Sequence, residues 1–271
     1  MKRIVLITGA AGNIGAKLAA HFRSTGAYQL RLLDKTPAEG IVPADFGKFD
    51  ESWAQHFDGV DTIVHLAGNA SGRASWVSAK RDNIGGTQHV LRAAARAKVR
   101  RVIFASTNQT MLGYRFQDGP VTTDMPPAPL SPYGISKFVG EELGREFEDA
   151  TGIDFLAWRI GYFQRGENRP GSHMDIGEWG QSMWLSNRDM IQAAEKSIEA
   201  PGFGFAVVNL ESNNRGMRWD IAHTRDVIGY VPLDEATPVM EARNRQADDI
   251  ARAKRLLPGQ WYDEHFNEVE P

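Results

Sequence analysis

Short apolar runs alternate with longer amphipathic segments through the first 160 residues of the chain. The apolar runs have the length of strands and lie at residues 3–8, 29–34, 62–66, 101–106 and 154–160. Segments with helical periodicity lie near residues 15–25, 49–57, 76–98 and 133–151. Strands that are apolar throughout and alternate with helices are typical of a parallel sheet covered on both faces. The pattern therefore predicts an α/β protein with a doubly wound parallel sheet.

The composition and periodicity of the chain change after residue 160. Residues 161–180 are rich in glycine, arginine and aromatic residues and have no periodicity. A helix near 186–200, a strand near 204–210 and helices near 219–230 and 240–257 are predicted to follow. A long irregular segment inside a compact domain is usually functional, and this one leaves the carboxyl end of a strand, which favours a substrate lid. We therefore predict a dinucleotide-binding domain over residues 1–160. The substrate loop and a small C-terminal region, packed on the same domain, occupy residues 161–271.

Composition narrows the class of protein further. The chain has 271 residues, a net charge of −3 and no cysteine. The absence of a basic excess argues against a dedicated nucleic-acid binder. Without cysteine there is no disulfide, thiolate nucleophile or cysteine-ligated metal, and the histidines lack metal-ligand spacing, so no metal is predicted. No apolar stretch approaches the ~20 residues that cross a bilayer. A cytoplasmic protein with neither a nucleic-acid nor a membrane partner is expected.

A glycine-rich turn, TGAAGNIG, follows the first strand and opens a helix near Asn13. Spaced glycines are common by chance, but Gly9, Gly12 and Gly15 lie between a strand and a helix, where they allow backbone to approach a pyrophosphate. The free N–H groups of the helix then face the anion. Asp34 ends the second strand about 20 residues later, where an acid binds the adenosine ribose. This Rossmann-type arrangement favours NAD over NADP, because a carboxylate repels a 2′-phosphate.

The stretch SPYGISK places Tyr133 and Lys137 one turn apart on a predicted helix. A free tyrosine has a pKa of about 10 and is a poor base at neutral pH. The adjacent Lys137 ammonium is expected to favour the phenolate and lower that pKa. Tyr133 is then predicted to take a hydroxyl proton from a substrate as hydride leaves it. The alternative is a tyrosine at a helix N-terminus with a solvated lysine beside it.

Five motifs in order carry a resemblance to a known family. TGAAGNIG, Asp34, HLAG at 65–68, FASTN at 104–108 and YGISK at 133–137 resemble the extended short-chain dehydrogenase/reductase family, the NAD-dependent epimerases and dehydratases. RVIFASTNQT, YGISK and the strand ending in RIG are most similar to uronate dehydrogenases, which use NAD to oxidise a sugar acid at C1. The resemblance covers most of residues 1–165. It implies an NAD-dependent oxidoreductase that converts a cyclic sugar or sugar acid to a lactone.

The resemblance also implies roles for individual residues. The catalytic set is Tyr133, Lys137 and Thr107, with Ser106 as the fallback for Thr107. NAD is expected to contact Gly9, Gly12, Asn13, Ile14, Gly15, Asp34, Lys35, Asp45, Phe46, Leu66, Ala67, Gly68, Asn83, Tyr133, Lys137, Ile160 and Phe163. The substrate is expected to contact Asn69, Thr107, Asn108, Gln109, Tyr162, Arg165 and Arg169.

The departures from the uronate dehydrogenases fall on the substrate side. The uronate dehydrogenases have a histidine at the position of Gln109 and a serine at the position of Tyr162. Their arginine that binds the substrate carboxylate aligns near Trp179, which is not an arginine. Arg165, Arg169 and Arg188 are the nearby candidates for that clamp. The substrate is thus a uronate, a neutral aldose or a modified sugar.

Two other functions remain open, an epimerase or dehydratase that retains NAD and a non-enzymatic NAD sensor. A homo-oligomer is expected.

Overall fold

The computed structural model describes residues 2–174 and 176–255, with side chains up to residue 252. Seven strands within these residues form one parallel sheet: β1 Ile4–Thr8, β2 Gln29–Asp34, β3 Val42–Pro43, β4 Thr62–His65, β5 Arg101–Thr107, β6 Asp154–Ile160 and β7 Phe205–Leu210. Their order across the sheet is β3-β2-β1-β4-β5-β6-β7. The order reverses between β1 and β4, which is where ligands bind in sheets of this kind.

Helices cover both faces of the sheet, as the apolar strands require. They are α1 Asn13–Thr25, α2 Glu51–Ala54, α3 Trp76–Ser78, α4 Gly86–Ala97, α5 Pro132–Thr151, α6 Gly177–Ser182, α7 Asn187–Glu199, α8 Ala222–Ile228 and α9 Ala242–Arg255. One apolar layer packs α1, α7 and α8 on the sheet, and a second packs α2, α4 and α5 on the opposite face. The predicted doubly wound, Rossmann-type α/β fold is confirmed.

Several elements differ from the prediction. The helix expected over 76–98 is divided into α3, a π-helical turn at Ala79–Gly85 and α4. The irregular segment 161–180 contains most of α6, and a 3₁₀ helix at Asn108–Tyr114 follows β5. The end of the helix predicted over 240–257 lies outside the described residues.

The chain beyond residue 160 contributes β7, which pairs in parallel with β6 along its length. The substrate region and the dinucleotide-binding region therefore share one sheet, and a domain boundary at residue 160 stays a prediction. Among the described residues, no helix is both long and apolar enough to cross a bilayer.

Candidate active site

The glycine turn between β1 and α1 is packed too closely to accept side chains. Gly9 has φ +70°, and a Cβ there would lie 2.7 Å from the backbone nitrogen of Ala67. A Cβ on Gly15 would lie 2.3 Å from the carbonyl oxygen of Gly9. Gly12 is the N-cap residue of α1 and has no side chain that could accept a hydrogen bond from the helix. The first N–H groups of the helix can therefore bind an anion. The turn therefore fits a pyrophosphate.

Asp34 lies at the end of β2, as predicted, and contacts the glycine turn. Its Oδ2 accepts a hydrogen bond from the Ala11 nitrogen at 2.9 Å, and its Oδ1 accepts one from the Thr36 nitrogen at 2.8 Å. A carboxylate has about four acceptor sites, so two remain for ribose hydroxyls. Lys35 beside it is exposed.

Asp45 and Phe46 have protein partners. The Asp45 carboxylate pairs with Arg81 and accepts the Gly47 N–H. The buried Phe46 ring packs edge-on against the ring of Trp53 with centroids 5.0 Å apart. The predicted contact of both residues with the cofactor stays a prediction.

Asn83 clamps the loop after β4 to α5. Its Oδ1 accepts from the Asn69 nitrogen at 2.7 Å, and its Nδ2 donates to the Asn69 oxygen at 3.2 Å and to the Ser136 hydroxyl at 2.9 Å. Gly68 has φ +143°, and a Cβ there would lie 2.7 Å from the Asn83 Oδ1. The Asn69 amide is itself bound to the Ser78 hydroxyl at 2.8 Å. Both asparagines thus have structural partners, and their ligand contacts stay predictions.

Five apolar candidates for the cofactor site pack against the two apolar layers. Ile14, Leu66 and Phe163 lie partly buried on the α1 side, Ala67 lies partly buried on the other, and Ile160 is fully part of the first. Asn13 holds the loop that follows β6 by donating its amide to the Gln164 oxygen at 3.0 Å. These contacts join the glycine turn to the predicted substrate loop.

The helix α5 brings Tyr133, Lys137 and Thr107 together. Ser131 caps this helix by accepting the Gly134 N–H at 3.1 Å. Tyr133 is 7% exposed and Lys137 4%, so the alternative of a solvated lysine is wrong. The Lys137 Nζ lies 6.0 Å from the centroid of the Tyr133 ring, and the Thr107 hydroxyl is close enough to the phenol to lower its pKa. The predicted catalytic trio is therefore adjacent in space.

The electrostatics of this trio differ from the prediction. Burial raises the pKa of Tyr133, and Thr107 only partly opposes that rise. Burial also lowers the pKa of Lys137 to about 8. The expectation that the ammonium would bring the phenol below its ordinary pKa is wrong for the protein alone, because loss of water costs the phenolate more than its neighbours return. At neutral pH the phenol is neutral and the lysine is largely charged.

The fallback assignment of Ser106 is corrected. Its hydroxyl donates to the carboxylate of Glu141 on α5, away from Tyr133. The Arg159 guanidinium holds the same carboxylate at 3.1 and 2.8 Å. Arg159 and Glu141 are almost completely buried. Ser106 therefore belongs to an ion-pair network beneath the site.

Asn108 and Gln109 are placed differently from each other. The Gln109 N–H donates to the Thr107 hydroxyl oxygen at 3.2 Å, and its side chain is partly exposed at the site. The Asn108 amide is 2% exposed and donates to the carboxyl of Glu211, directly after β7. Sequence reasoning missed Glu211, although a lone acid closing the apolar run FAVVNL was a visible signal.

The predicted arginines lie at the surface. Arg165 and Arg169 are exposed, and Arg169 pairs with Glu167 at 2.8 Å. Arg188 pairs with Asp234 at 2.6 Å and is 65% exposed. A carboxylate clamp by any of them stays a prediction.

Three aromatic residues that follow β6 pack into the fold. Tyr162 is partly buried, and its backbone N–H donates to the Met183 oxygen at 2.7 Å. The Trp184 indole donates to the Asn168 Oδ1 at 3.0 Å. Trp179 is buried, although its indole N–H has no partner among the described residues.

Comparison with known proteins gives one family and several similar enzymes. The sequence model of the NAD dependent epimerase/dehydratase family matches residues 5–170. An L-arabinose 1-dehydrogenase (NAD(P)(+)) of Haloferax volcanii is 32% identical over 254 residues, covering 88% of this chain and 99% of that protein. A uronate dehydrogenase of Pseudomonas putida is 34% identical over 259 residues, covering 90% of this chain and 91% of that protein. The solved structure of a mutant uronate dehydrogenase of Agrobacterium tumefaciens complexed with NAD is similar with TM-score 0.73 and 26% identity, covering 100% of this chain and 92% of that one.

Proposed function

Because the chain belongs to the NAD dependent epimerase/dehydratase family, we propose that it oxidises a cyclic sugar or sugar acid at C1 to a lactone, with Tyr133 as the base. It is an NAD-dependent dehydrogenase, as the motifs predicted, and its cofactor is NAD. The position of oxidation, the lactone and the role of Tyr133 are the proposed part.

The residues present fit NAD. The close-packed glycine turn has room for a pyrophosphate and none for side chains of its own. Asp34 offers its remaining acceptor sites to the adenosine ribose at the edge of that turn. Lys137, buried beside the loop after β4, has donors for the nicotinamide ribose; its Nζ would lie 3.8 Å from a Cβ on Gly68. When bound, NAD supplies the hydride acceptor, so that a C1 carbon losing its hydrogen as hydride becomes the carbonyl carbon of a lactone.

The side chains of the trio handle the proton. The Tyr133 oxygen receives the proton of the C1 hydroxyl, and the Thr107 hydroxyl holds the same substrate oxygen. Thr107 favours the phenolate and offsets part of the burial that disfavours it. The proposed role of the Lys137 ammonium is to favour the phenolate further as it forms. Because burial raises the pKa of Tyr133, turnover should increase with pH on the acid side of its optimum.

The observation that carries the proposal is the burial of Tyr133 and Lys137 one turn apart on α5, with Thr107 beside the phenol and lowering its pKa. Replacing Tyr133 with Phe removes the base and keeps the ring. We expect turnover to fall about 10²–10⁴-fold, with the dissociation constant for NAD unchanged. Y28F is the matched control, because Tyr28 directly precedes β2, at the amino ends of the strands, where it packs against Phe22. Full turnover in Y133F would exclude Tyr133 as the base.

The substrate is tested by NADH formation across a panel of uronates and aldoses. A neutral aldose is the second candidate, because Arg165 and Arg169 are exposed and Arg169 already has a carboxylate partner. A uronate substrate predicts that R165A or R169A raises KM for the uronate and leaves KM for NAD unchanged. An aldose substrate predicts no effect of either change.

An epimerase or dehydratase would retain NAD through purification and release no net NADH. Net NADH from any sugar in the panel would exclude it, and it would exclude a sensor as well. The homo-oligomer stays a prediction, checked by the mass of the protein in solution.

A further inference from the structure

Two polar side chains meet above the carboxyl end of β6 without contacting solvent. Asn108 directly follows β5, and Glu211 directly follows β7, while β6 lies between those strands. Strands two apart in a sheet are separated by roughly 9–10 Å, a gap that an asparagine and a glutamate side chain together can span. The residue after β6 is Gly161, which has no side chain to stand between them.

One hydrogen bond joins the Asn108 amide to the Glu211 carboxyl, and one oxygen of each group has no partner among the described residues. The Asn108 Nδ2 donates to the Glu211 Oε1. The Asn108 Oδ1 and the Glu211 Oε2 are both buried, and neither has a partner among the described residues. Two acceptors left unsatisfied in a protein interior cost free energy. A single proton on Oε2 would supply the missing donor, because a protonated carboxyl can donate as well as accept.

We infer that Glu211 is a positioning residue whose protonated carboxyl forms two reciprocal hydrogen bonds with the Asn108 amide and thereby holds the turn that carries Thr107. A carboxyl and a primary amide that lie in one plane match donor to acceptor at both contacts. The inference revises the expected role of Asn108 from substrate contact to support. It rests on the proposed function only for the role given to Thr107.

The turn after β5 connects the pair to Thr107. Thr107 caps the 3₁₀ helix that begins at Asn108, accepting the Gln109 N–H on its hydroxyl oxygen at 3.2 Å. The Thr110 hydroxyl donates to the Thr107 carbonyl oxygen at 2.8 Å. A displacement of Asn108 would therefore move the residue whose hydroxyl lies beside the Tyr133 phenol.

Among the residues that the structure describes, no cation pairs with the Glu211 carboxyl. Arg159, on β6, is already paired with Glu141. Tyr230 donates its hydroxyl to the backbone oxygen of Glu211 at 2.8 Å, and Asp189 is a further acid on that side, whose charge acts on Tyr230.

Burial raises the pKa of Glu211 well above its ordinary value, and the hydrogen bond from Asn108 only partly opposes this. Ionisation would place negative charge against the Asn108 oxygen and break the second hydrogen bond. Alkaline pH should therefore lower kcat through Thr107.

Replacing Glu211 with Gln separates this role from a merely structural one. A glutamine presents one N–H and one oxygen to the Asn108 amide, so E211Q should keep kcat within about threefold at neutral pH. It does not ionise, so kcat should decline less on the alkaline side in E211Q than in the wild type. The decline that remains in E211Q is the one expected from the loss of the Lys137 proton at about pH 8. E211A, which removes both contacts, should lower kcat about tenfold or more, with KM for NAD changed less than twofold.

Infrared difference spectra provide a readout that needs no turnover. The wild-type protein should show the carbonyl band of a protonated carboxyl, absent in E211Q and lost at the pH where kcat declines. D189N is the control, because the Asp189 carboxyl already accepts from the Ser212 hydroxyl and from two backbone N–H groups, so the band should remain. Melting curves identify any variant that fails to fold.

The outcomes distinguish this inference from the proposed function. The band together with a flattened alkaline profile in E211Q supports it. Absence of the band, or identical pH profiles in wild type and E211Q, overturns it and leaves sugar oxidation by Tyr133 intact. The band in a protein that oxidises no sugar overturns the proposed function and leaves the acid–amide pair in place.

Discussion

Replacing Lys137 with Met tests the electrostatic description of the site through stability. Lys137 is 4% exposed, and burial lowers its pKa from 10.5 to about 8. Between those two pH values the unfolded chain binds a proton that the folded protein does not. Stability therefore rises with pH across this interval. Methionine has a similar length and no charge, so K137M should lack that rise.

The size of the effect follows from the two pKa values. Each tenfold change in proton affinity is worth about 1.4 kcal/mol, so the full difference corresponds to about 3 kcal/mol. About 2 kcal/mol of it should appear between about pH 7 and pH 9.5. Urea unfolding of wild type and K137M at several pH values, without added NAD, measures it as a difference between two slopes. The contributions of Tyr133 and Glu211 are common to both proteins and largely cancel.

A matched control is K196M, which removes an exposed lysine from α7. It should reproduce the pH dependence of the wild type. If K137M also reproduced it, Lys137 would keep its ordinary pKa in the folded protein, and the description of a desolvated ammonium would be refuted.

Two further changes test the cofactor cradle and the ion pair beneath the site. G15A places a Cβ 2.3 Å from the Gly9 oxygen and should weaken NAD binding by about 1–3 kcal/mol, or roughly fivefold to 150-fold. Calorimetric titration with NAD measures it, and G202A, which meets nothing closer than 3.9 Å, should bind NAD normally. R159M leaves a buried carboxylate unpaired and should reduce the free energy of unfolding by about 3–5 kcal/mol. R188A breaks a pair whose arginine is 65% exposed and should cost at most about 1 kcal/mol; equal losses in both variants would contradict the assignment.

The apolar runs predicted the central strands well because those strands are buried on both faces. Strands β1, β2, β4, β5 and β6 begin and end within about one residue of their predicted limits. The two-residue β3, Val42–Pro43, is too short to show a periodicity of its own. The break between α3 and α4 was missed because a π-helical turn keeps the composition of a helix. That turn is nevertheless where Asn83 reaches the loop after β4.

Sequence motifs predicted that Tyr133, Lys137 and Thr107 lie close together. Tyr133 and Lys137 are one turn apart on α5, and Thr107 ends β5. The motifs did not predict which of two neighbouring hydroxyls on β5 faces Tyr133. Successive side chains of a strand point to opposite faces of the sheet. A strand that is buried on both faces has no alternation of polar and apolar residues to show which side chain points to which face. Ser106 and Thr107 are an instance. The first donates to Glu141 and the second reaches Tyr133.

The direction of the Tyr133 pKa shift was predicted wrongly for a related reason. Sequence spacing shows that a cation stands one turn from a phenol, but it does not show how much water the fold removes from both. In the structure that loss of water dominates at Tyr133 and also weakens the hold of Lys137 on its own proton. A nearby carboxylate would have restored the lysine pKa but would also have opposed the phenolate. Lys137 has no such partner among the described residues, so in the proposed mechanism its charge stays available to a developing phenolate. The cost is stability that K137M should recover at neutral pH.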